Sequence, residues 1–286
     1  MIEFKERILT TGQYAEVEVF PVVYHSRCRR KKYKPTTEAQ QHINEAHSVR
    51  KLARLIHTNF TEADYALHPT YNDYYAPETY KECENDVKNF ILRLRRKYRK
   101  ADIELKYIYA IEYDSRWHAH LIINGGVDRT EIEECWGKGY ANAINLEFTE
   151  NGVKDLAGYI QKQHIAYKRW VGSRNLKKPP EQKRAISKKA VADLCESWNI
   201  QSFIDNRYPG YFLVLDESEK ICNPTNGLEY VRLFLCRKDA KLFFMKNDKY
   251  SKYAISKTRY GKYAINKKAK KREVANDYEY IEERFF

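Results

Sequence analysis

Apolar residues recur with two different periods along the first hundred positions of the chain. Residues 15–23 alternate between apolar and polar side chains, which predicts a β-strand, and residues 65–71 predict a second strand. Apolar residues return every third or fourth position over residues 37–56, and again from Pro77 to about residue 100. This spacing predicts two long helices, each with one apolar face.

Residues 107–123, with the sequence YIYAIEYDSRWHAHLII, show the clearest pattern and predict a β-hairpin. Its strands would be residues 107–113 and 117–123, which are rich in β-branched and aromatic side chains. The turn-forming sequence DSR lies between them. We therefore predict that Tyr113 pairs with Trp117 across a three-residue loop.

One face of this hairpin is predicted to bind a metal ion. The register places Glu112 opposite His118 and Ala110 opposite His120, and side chains alternate between the two faces of a strand. Glu112, His118 and His120 would then share one face. Two imidazoles and a carboxylate with open coordination positions suit Mg²⁺ or Mn²⁺, and zinc remains an alternative. The competing interpretation is that the histidines only pack, as most strand histidines do.

A helix after the hairpin carries the candidate nucleophile. Residues 153–167 have helical periodicity, and Tyr159 and Lys162 are spaced Y-x-x-K beside the apolar stripe of that helix. A tyrosine in this position can face the sheet without being buried in the core. The chain has 24 tyrosines, most of which are expected to serve packing. Only the combination with the hairpin distinguishes Tyr159.

Beyond the hairpin the same two periods predict shorter elements. They are helices over residues 128–136 and 187–197 and strands over residues 140–148, 211–215 and 230–236. Strands and helices in this order indicate an α+β fold with an antiparallel sheet.

The order of these motifs resembles the HUH endonucleases, and more narrowly the rolling-circle replication initiator (Rep) proteins of small phages and plasmids. An acid and an H-x-H pair on a hairpin are followed about forty residues later by Y-x-x-K on a helix. Residues 67–71, LHPTY, are similar to the first Rep motif, although His68 stands where that motif has threonine. Pro69 cannot donate to a sheet ladder, so this strand is expected to be bent or to lie at an edge. Further similar segments are SRNL at 173–176, NPTNG at 223–227 and VRLFL at 231–235. The resemblance covers residues 1–240.

The resemblance implies a central antiparallel five-stranded sheet of the HUH/RRM-like type, with packed helices and N- and C-terminal extensions. It also implies nicking and rejoining of single-stranded or hairpin origin DNA through a 5′-phosphotyrosine intermediate. Tyr159 would be the nucleophile, and Lys162 would stabilise the phosphate, lower the pKa of Tyr159 or position the DNA. Conjugative relaxases, transposases, a non-catalytic origin-binding protein or repressor, and a metal-dependent hydrolase without a covalent intermediate remain alternatives.

Three regions are predicted along the chain. Residues 1–55 would supply a strand and helix that pack on the core, residues 56–178 the nuclease core, and residues 179–286 a C-terminal region. Residues 251–272 contain nine Lys or Arg and no acidic residue, which suits either a DNA-binding segment or a solvated tail. Six residues of this segment are the predicted DNA contacts: Lys252, Lys257, Arg259, Lys262, Lys267 and Lys268.

Composition agrees with a partner that is single-stranded DNA. The net charge is +13 and 14% of the residues are aromatic, which suits a polyanion whose bases can stack on side chains. The six cysteines include no C-x-x-C pair, which favours reduced thiols in a cytoplasm. No apolar run approaches the roughly 20 residues that span a bilayer, so no membrane association is expected. The nucleotide-binding sequence G-x-x-x-x-G-K-[ST] does not occur, and a separate helicase or supercoiled DNA is therefore expected to separate strands.

Overall fold

The described part of the chain forms an α+β fold with two five-stranded antiparallel sheets. In the computed structural model the described residues are 3–22, 38–161, 169–196, 201–222 and 229–240. The predicted fold class is confirmed, with one sheet more than expected. The predictions on Lys162 and on the basic segment 251–272 concern residues outside this described part. None of the described helices is long and apolar enough to cross a membrane.

Ten strands and six helices make up the described residues. The strands are β1 (Glu3–Thr11), β2 (Tyr14–Val22), β3 (Tyr65–Pro69), β4 (Tyr107–Asp114), β5 (Arg116–Ile123), β6 (Ala141–Asn145), β7 (Val171–Gly172), β8 (Glu181–Ile186), β9 (Tyr211–Cys222) and β10 (Glu229–Arg237). The helices are α1 (Glu38–Asn59), α2 (Tyr80–Lys100), α3 (Arg129–Glu134), α4 (Lys154–Tyr159), α5 (Lys188–Glu196) and α6 (Gln201–Arg207).

The hairpin sheet, with strand order β6-β3-β5-β4-β7, contains the predicted hairpin as β4 and β5. Tyr113 pairs with Trp117 and Glu112 lies opposite His118, so the predicted register is confirmed. Ser115 has a φ of 53°, a left-handed backbone conformation that lets the chain reverse within the short loop. The hairpin therefore presents Glu112 and both histidines on one face.

Helices cover both faces of the hairpin sheet. α2 packs on the face formed by Tyr109, Leu121 and neighbouring side chains, and its own buried residues recur every three or four positions. The N-terminus of α2 is capped by Thr79, whose side chain accepts a hydrogen bond from the backbone N–H of Glu82. α1 and α4 pack on the opposite face with Ile108 and Ile122, and this is the face that carries the histidines.

Strand β3 lies inside the hairpin sheet, between β6 and β5. Of the two expectations for Pro69, an edge position of the strand is wrong. Pairing of β3 with β5 is described as far as Leu67 opposite Leu121, and Pro69 follows as the last residue of the strand, opposite Ala141 of β6. The missing N–H of Pro69 therefore removes no bond from the described pairs with β5.

The terminal sheet, with strand order β8-β1-β2-β10-β9, joins the start of the described chain to its end. The sequence predicts β2, β9 and β10 but not β1 or β8. One face of this sheet packs against α5 and α6 through apolar side chains. Arg54 of α1 meets the sheet through two ion pairs, at 2.6 Å to Glu16 and 2.8 Å to Glu18 of β2. The division of the chain into three regions stays a prediction.

Candidate metal and nucleophile site

Glu112 and the two hairpin histidines lie within contact distance at the turn end of β4 and β5. Oε2 of Glu112 is 3.6 Å from Nε2 of His118 and 3.3 Å from Nε2 of His120. Nδ1 of His118 is 3.2 Å from the carbonyl oxygen of Arg116, a contact that favours the tautomer protonated at Nδ1. The Nε2 atoms of both histidines are thereby directed toward Glu112.

A third histidine, His68 of β3, completes this group. Nitrogen atoms of His68, His118 and His120 all lie within 4.8 Å of one another. The imidazole of His68 is 4.6 Å from that of His120 and 5.1 Å from that of His118, measured between ring centroids. The sequence comparison treated His68 only as a departure from a motif. Its alternation with Ala66, which faces Ile122 of β5, was the signal that could have placed it on the metal face.

Burial and neighbouring charges separate the protonation behaviour of the three imidazoles. Burial, reinforced by His120 and His118, lowers the pKa of His68 to about 3. Burial also lowers the pKa of His120, and Glu112 only partly opposes this shift. Burial acts the same way on His118, but hydrogen bonding to Glu112 outweighs it and raises the pKa of His118. At neutral pH His68 and His120 therefore present neutral nitrogen donors.

This donor set fits a divalent transition-metal ion. His68, His118 and His120 could hold such an ion, with the Glu112 carboxylate beside two of the imidazoles. Among the described residues, the buried Nε2 of His120 makes no hydrogen bond of good geometry, although the Glu112 carboxylate is near it. A bound cation would satisfy that nitrogen. Glu112, His118 and His120 are therefore brought together as predicted, and their role as ligands stays a prediction.

Tyr159, the predicted nucleophile, lies beside this group. It is the last residue of α4, and its ring packs edge-on against the imidazole of His120, with centroids 4.9 Å apart and planes at 75°. Val153 and Ala157 of the same region are buried, whereas Tyr159 is only half-buried, as the helical pattern predicts. The sequence therefore brings a tyrosine from a separate helix to the three histidines.

Comparison with known protein families gives one match, over residues 64–164. This segment matches a family of replication-associated proteins, the ORF2 type. It spans His68, Glu112, His118, His120 and Tyr159. The match supports a role as a replication initiator and is consistent with the rolling-circle type. Comparisons with curated proteins and with solved structures give no match.

Helix α1, which precedes the segment that matches the replication family, holds both ends of the tyrosine helix. Nε2 of His57 accepts a hydrogen bond from the backbone N–H of Val153, at 2.9 Å, where α4 begins. At the other end, the hydroxyl of Ser48 donates to Oε1 of Gln161 at 2.6 Å. A Cβ at Gly152 would lie 2.6 Å from the His57 ring, so this close approach requires glycine. α1 therefore fixes where α4 lies relative to the histidines.

We expect His57→Leu to destabilise the protein by about 1–3 kcal/mol, because it leaves the buried N–H of Val153 without its acceptor. His57→Gln keeps an acceptor at a similar reach and should lose less. Urea denaturation of the two variants measures the difference. His47→Leu, at an exposed position of the same helix, is the matched control and should stay within about 0.5 kcal/mol of the original protein. Equal losses for Leu and Gln at position 57 would show that the hydrogen bond does not support α4.

Proposed function

We propose that this protein is a metal-dependent endonuclease and strand-transferase that nicks single-stranded DNA through Tyr159 and thereby initiates rolling-circle replication. The observation that carries the proposal is the contact between the Tyr159 ring and His120, at the edge of the three-histidine group. It is supported by the replication-family match, which spans these residues. A tyrosine, a potential metal site and a replication family coincide in one segment of the chain.

Three imidazole nitrogens and one carboxylate would hold the metal ion. Mg²⁺ prefers oxygen ligands in an octahedral arrangement, whereas Mn²⁺ also accepts imidazole, so of the two ions we propose Mn²⁺. A bound ion would polarise the scissile phosphate and offset the charge that develops on it. Glu112 contributes the only carboxylate near His118 and His120 among the described ion pairs. Its negative charge would increase the affinity for a cation and keep both imidazoles oriented.

Tyr159 would form a new bond between its phenolic oxygen and the scissile phosphorus. The bond from phosphorus to the 3′ oxygen would break in the same displacement, leaving a 5′-phosphotyrosine and a 3′ oxygen. The proton that the phenol loses to solvent is balanced by the proton that the 3′ oxygen gains. The resulting 3′-hydroxyl can prime synthesis, and attack by a 3′-hydroxyl on the phosphotyrosine reverses the step and rejoins the strand. Lys162 lies three residues after Tyr159 and outside the described residues, and its proposed role is to stabilise or position the phosphate.

Incubation with Mn²⁺ and pooled single-stranded fragments of the DNA that encodes the chain tests this proposal. We expect end-labelled DNA to migrate with the protein on a denaturing gel, to be released by protease digestion, and to remain unshifted when EDTA replaces Mn²⁺. Binding without any adduct would instead indicate a non-catalytic origin-binding protein. Cleavage without an adduct would indicate a hydrolase that does not use a tyrosine.

A further inference from the structure

We propose that four exposed tyrosines at the metal end of the hairpin sheet form a surface on which unpaired DNA bases stack. We call this the tyrosine surface, and it consists of Tyr74, Tyr75, Tyr113 and Tyr140. The inference rests on the proposed function, because it names how the flanking nucleotides of the nicked strand are held. The stacking partner would be single-stranded DNA of any sequence, since every base has an aromatic face.

The exposure of these side chains sets them apart within the described residues. Five large hydrophobic side chains there are strongly exposed, and four of them are the members of the tyrosine surface. Tyr74 is 87% exposed, Tyr140 68%, Tyr113 46% and Tyr75 43%; the fifth residue is Leu92 of α2. A single exposed aromatic residue needs no explanation. Four at one end of a sheet indicate a surface that contacts a partner.

Contacts between three loops hold the tyrosine surface together. The loop after β3 carries Tyr74 and Tyr75, whose rings pack edge to face with centroids 4.9 Å apart. Asp73 of that loop forms an ion pair with Arg116 at the hairpin turn. The backbone N–H of Thr70, also in that loop, donates to the carbonyl oxygen of Tyr140 at 2.7 Å. The tyrosines are therefore fixed by neighbouring backbone rather than carried on independent segments.

The tyrosine surface adjoins the three-histidine group. Tyr113 follows Glu112 on β4 and packs against Trp117, the residue before His118, with ring centroids 4.9 Å apart. One step along a strand is about 3.3 Å, and neighbouring side chains point to opposite faces. Tyr113 therefore lies around the end of the sheet from Glu112. A DNA strand whose phosphate reached the histidines would pass this end with its adjoining nucleotides.

Charge around the tyrosine surface favours bases over phosphates as its ligand. Lys138 lies 5.7 Å from the ring centroid of Tyr75, but its ammonium group also forms an ion pair with Asp86 at 2.7 Å. Arg116 is likewise paired with Asp73. Because acidic partners neutralise these two cations, the surface has little excess positive charge with which to attract a phosphate chain. Recognition would then come from the aromatic rings.

Two labelled 20-nucleotide probes of equal charge test the proposal: oligothymidylate, and a chain of abasic sites with no bases. Fluorescence anisotropy in EDTA measures binding without cleavage. We expect the original protein to bind oligothymidylate at least about 5-fold more tightly than the abasic chain. The triple variant Tyr74→Ala, Tyr75→Ala, Tyr140→Ala should lose that preference, whereas the corresponding triple phenylalanine variant should keep it.

Leu92→Ala is the matched control, because Leu92 is exposed but lies on α2 away from the turn. It should leave the preference unchanged. Tyr74→Ala alone, at the most exposed position, should reduce the preference in part, and it serves where the triple variant does not fold. Equal binding of both probes by the original protein, no binding of either probe, or an unchanged preference in a folded alanine variant would overturn the proposal. The assay needs neither metal nor adduct, so its failure is distinct from failure of the nuclease proposal.

Discussion

Tyr159→Phe is expected to yield no covalent protein–DNA adduct while binding single-stranded DNA and Mn²⁺ as the original protein does. The substitution removes only the phenolic oxygen, so the ring contact with His120 is retained and the metal site keeps its surroundings. Loss of the nucleophile in a protease that also forms a covalent intermediate costs on the order of 10⁶-fold in rate. The expected adduct is therefore below detection. A denaturing gel with end-labelled DNA and Mn²⁺ measures it.

Tyr140→Phe provides the matched control for this experiment. Tyr140 is an exposed tyrosine of the same sheet end, and its variant should form the adduct at the original rate. If Tyr159→Phe formed normal adduct, the nucleophile would lie elsewhere. Tyr140 would then be the next candidate, followed by Tyr167, which lies outside the described residues.

His68→Ala, His118→Ala and His120→Ala are each expected to weaken Mn²⁺ binding by about 100-fold or more. Even groups that only orient a metal ligand are worth roughly 10- to 100-fold in affinity, and loss of a ligand costs more. Cleavage should fall in parallel, because the scissile phosphate loses its counter-charge. Isothermal titration calorimetry with Mn²⁺ measures the affinity, and circular dichroism checks that each variant is folded.

His68 is the decisive position in this series, because the sequence predicted Glu112 as the third ligand and the structure adds His68. His47→Ala, on an exposed surface of α1, is the control and should bind Mn²⁺ normally. If His68→Ala also bound normally while Glu112→Ala did not, the original set of Glu112, His118 and His120 would stand. If both variants lost affinity, the site would use three nitrogens and one oxygen.

The hairpin could be predicted in detail because all of its information is local. A two-residue period, a turn sequence and a short loop together determine which side chain faces which. That is why Glu112 opposite His118 is confirmed without reference to any distant part of the chain. Tyr159 was predicted for a similar reason, since its position beside the apolar stripe follows from helical periodicity alone. Its contact with His120 needed the sheet and the helix together.

His68 and the terminal sheet could not be predicted, because both depend on partners far away in the chain. His68 is followed by Pro69, which argued against a central strand, and only pairing with β5 brings it beside His120. β1 lacks a clear apolar alternation because its buried position 6 is a glutamate. Glu6 is paired with Arg184 of β8 and with Arg207 of α6, about two hundred residues later. A charge that is buried with such partners looks like a surface residue in the sequence.

Pairing between β2 and β10 sets the order in which the folded protein can be completed during its synthesis. Val19 lies opposite Val231, so β10 is the last described strand to leave the ribosome and the one for which β2 must wait. Phe234 of β10 also packs near His57, with ring centroids 6.2 Å apart, and His57 supports the start of α4. A nascent chain that has already released the hairpin and Tyr159 therefore still lacks part of the packing behind its nucleophile helix. Full positioning of Tyr159 is delayed until translation has passed the last strand of the terminal sheet.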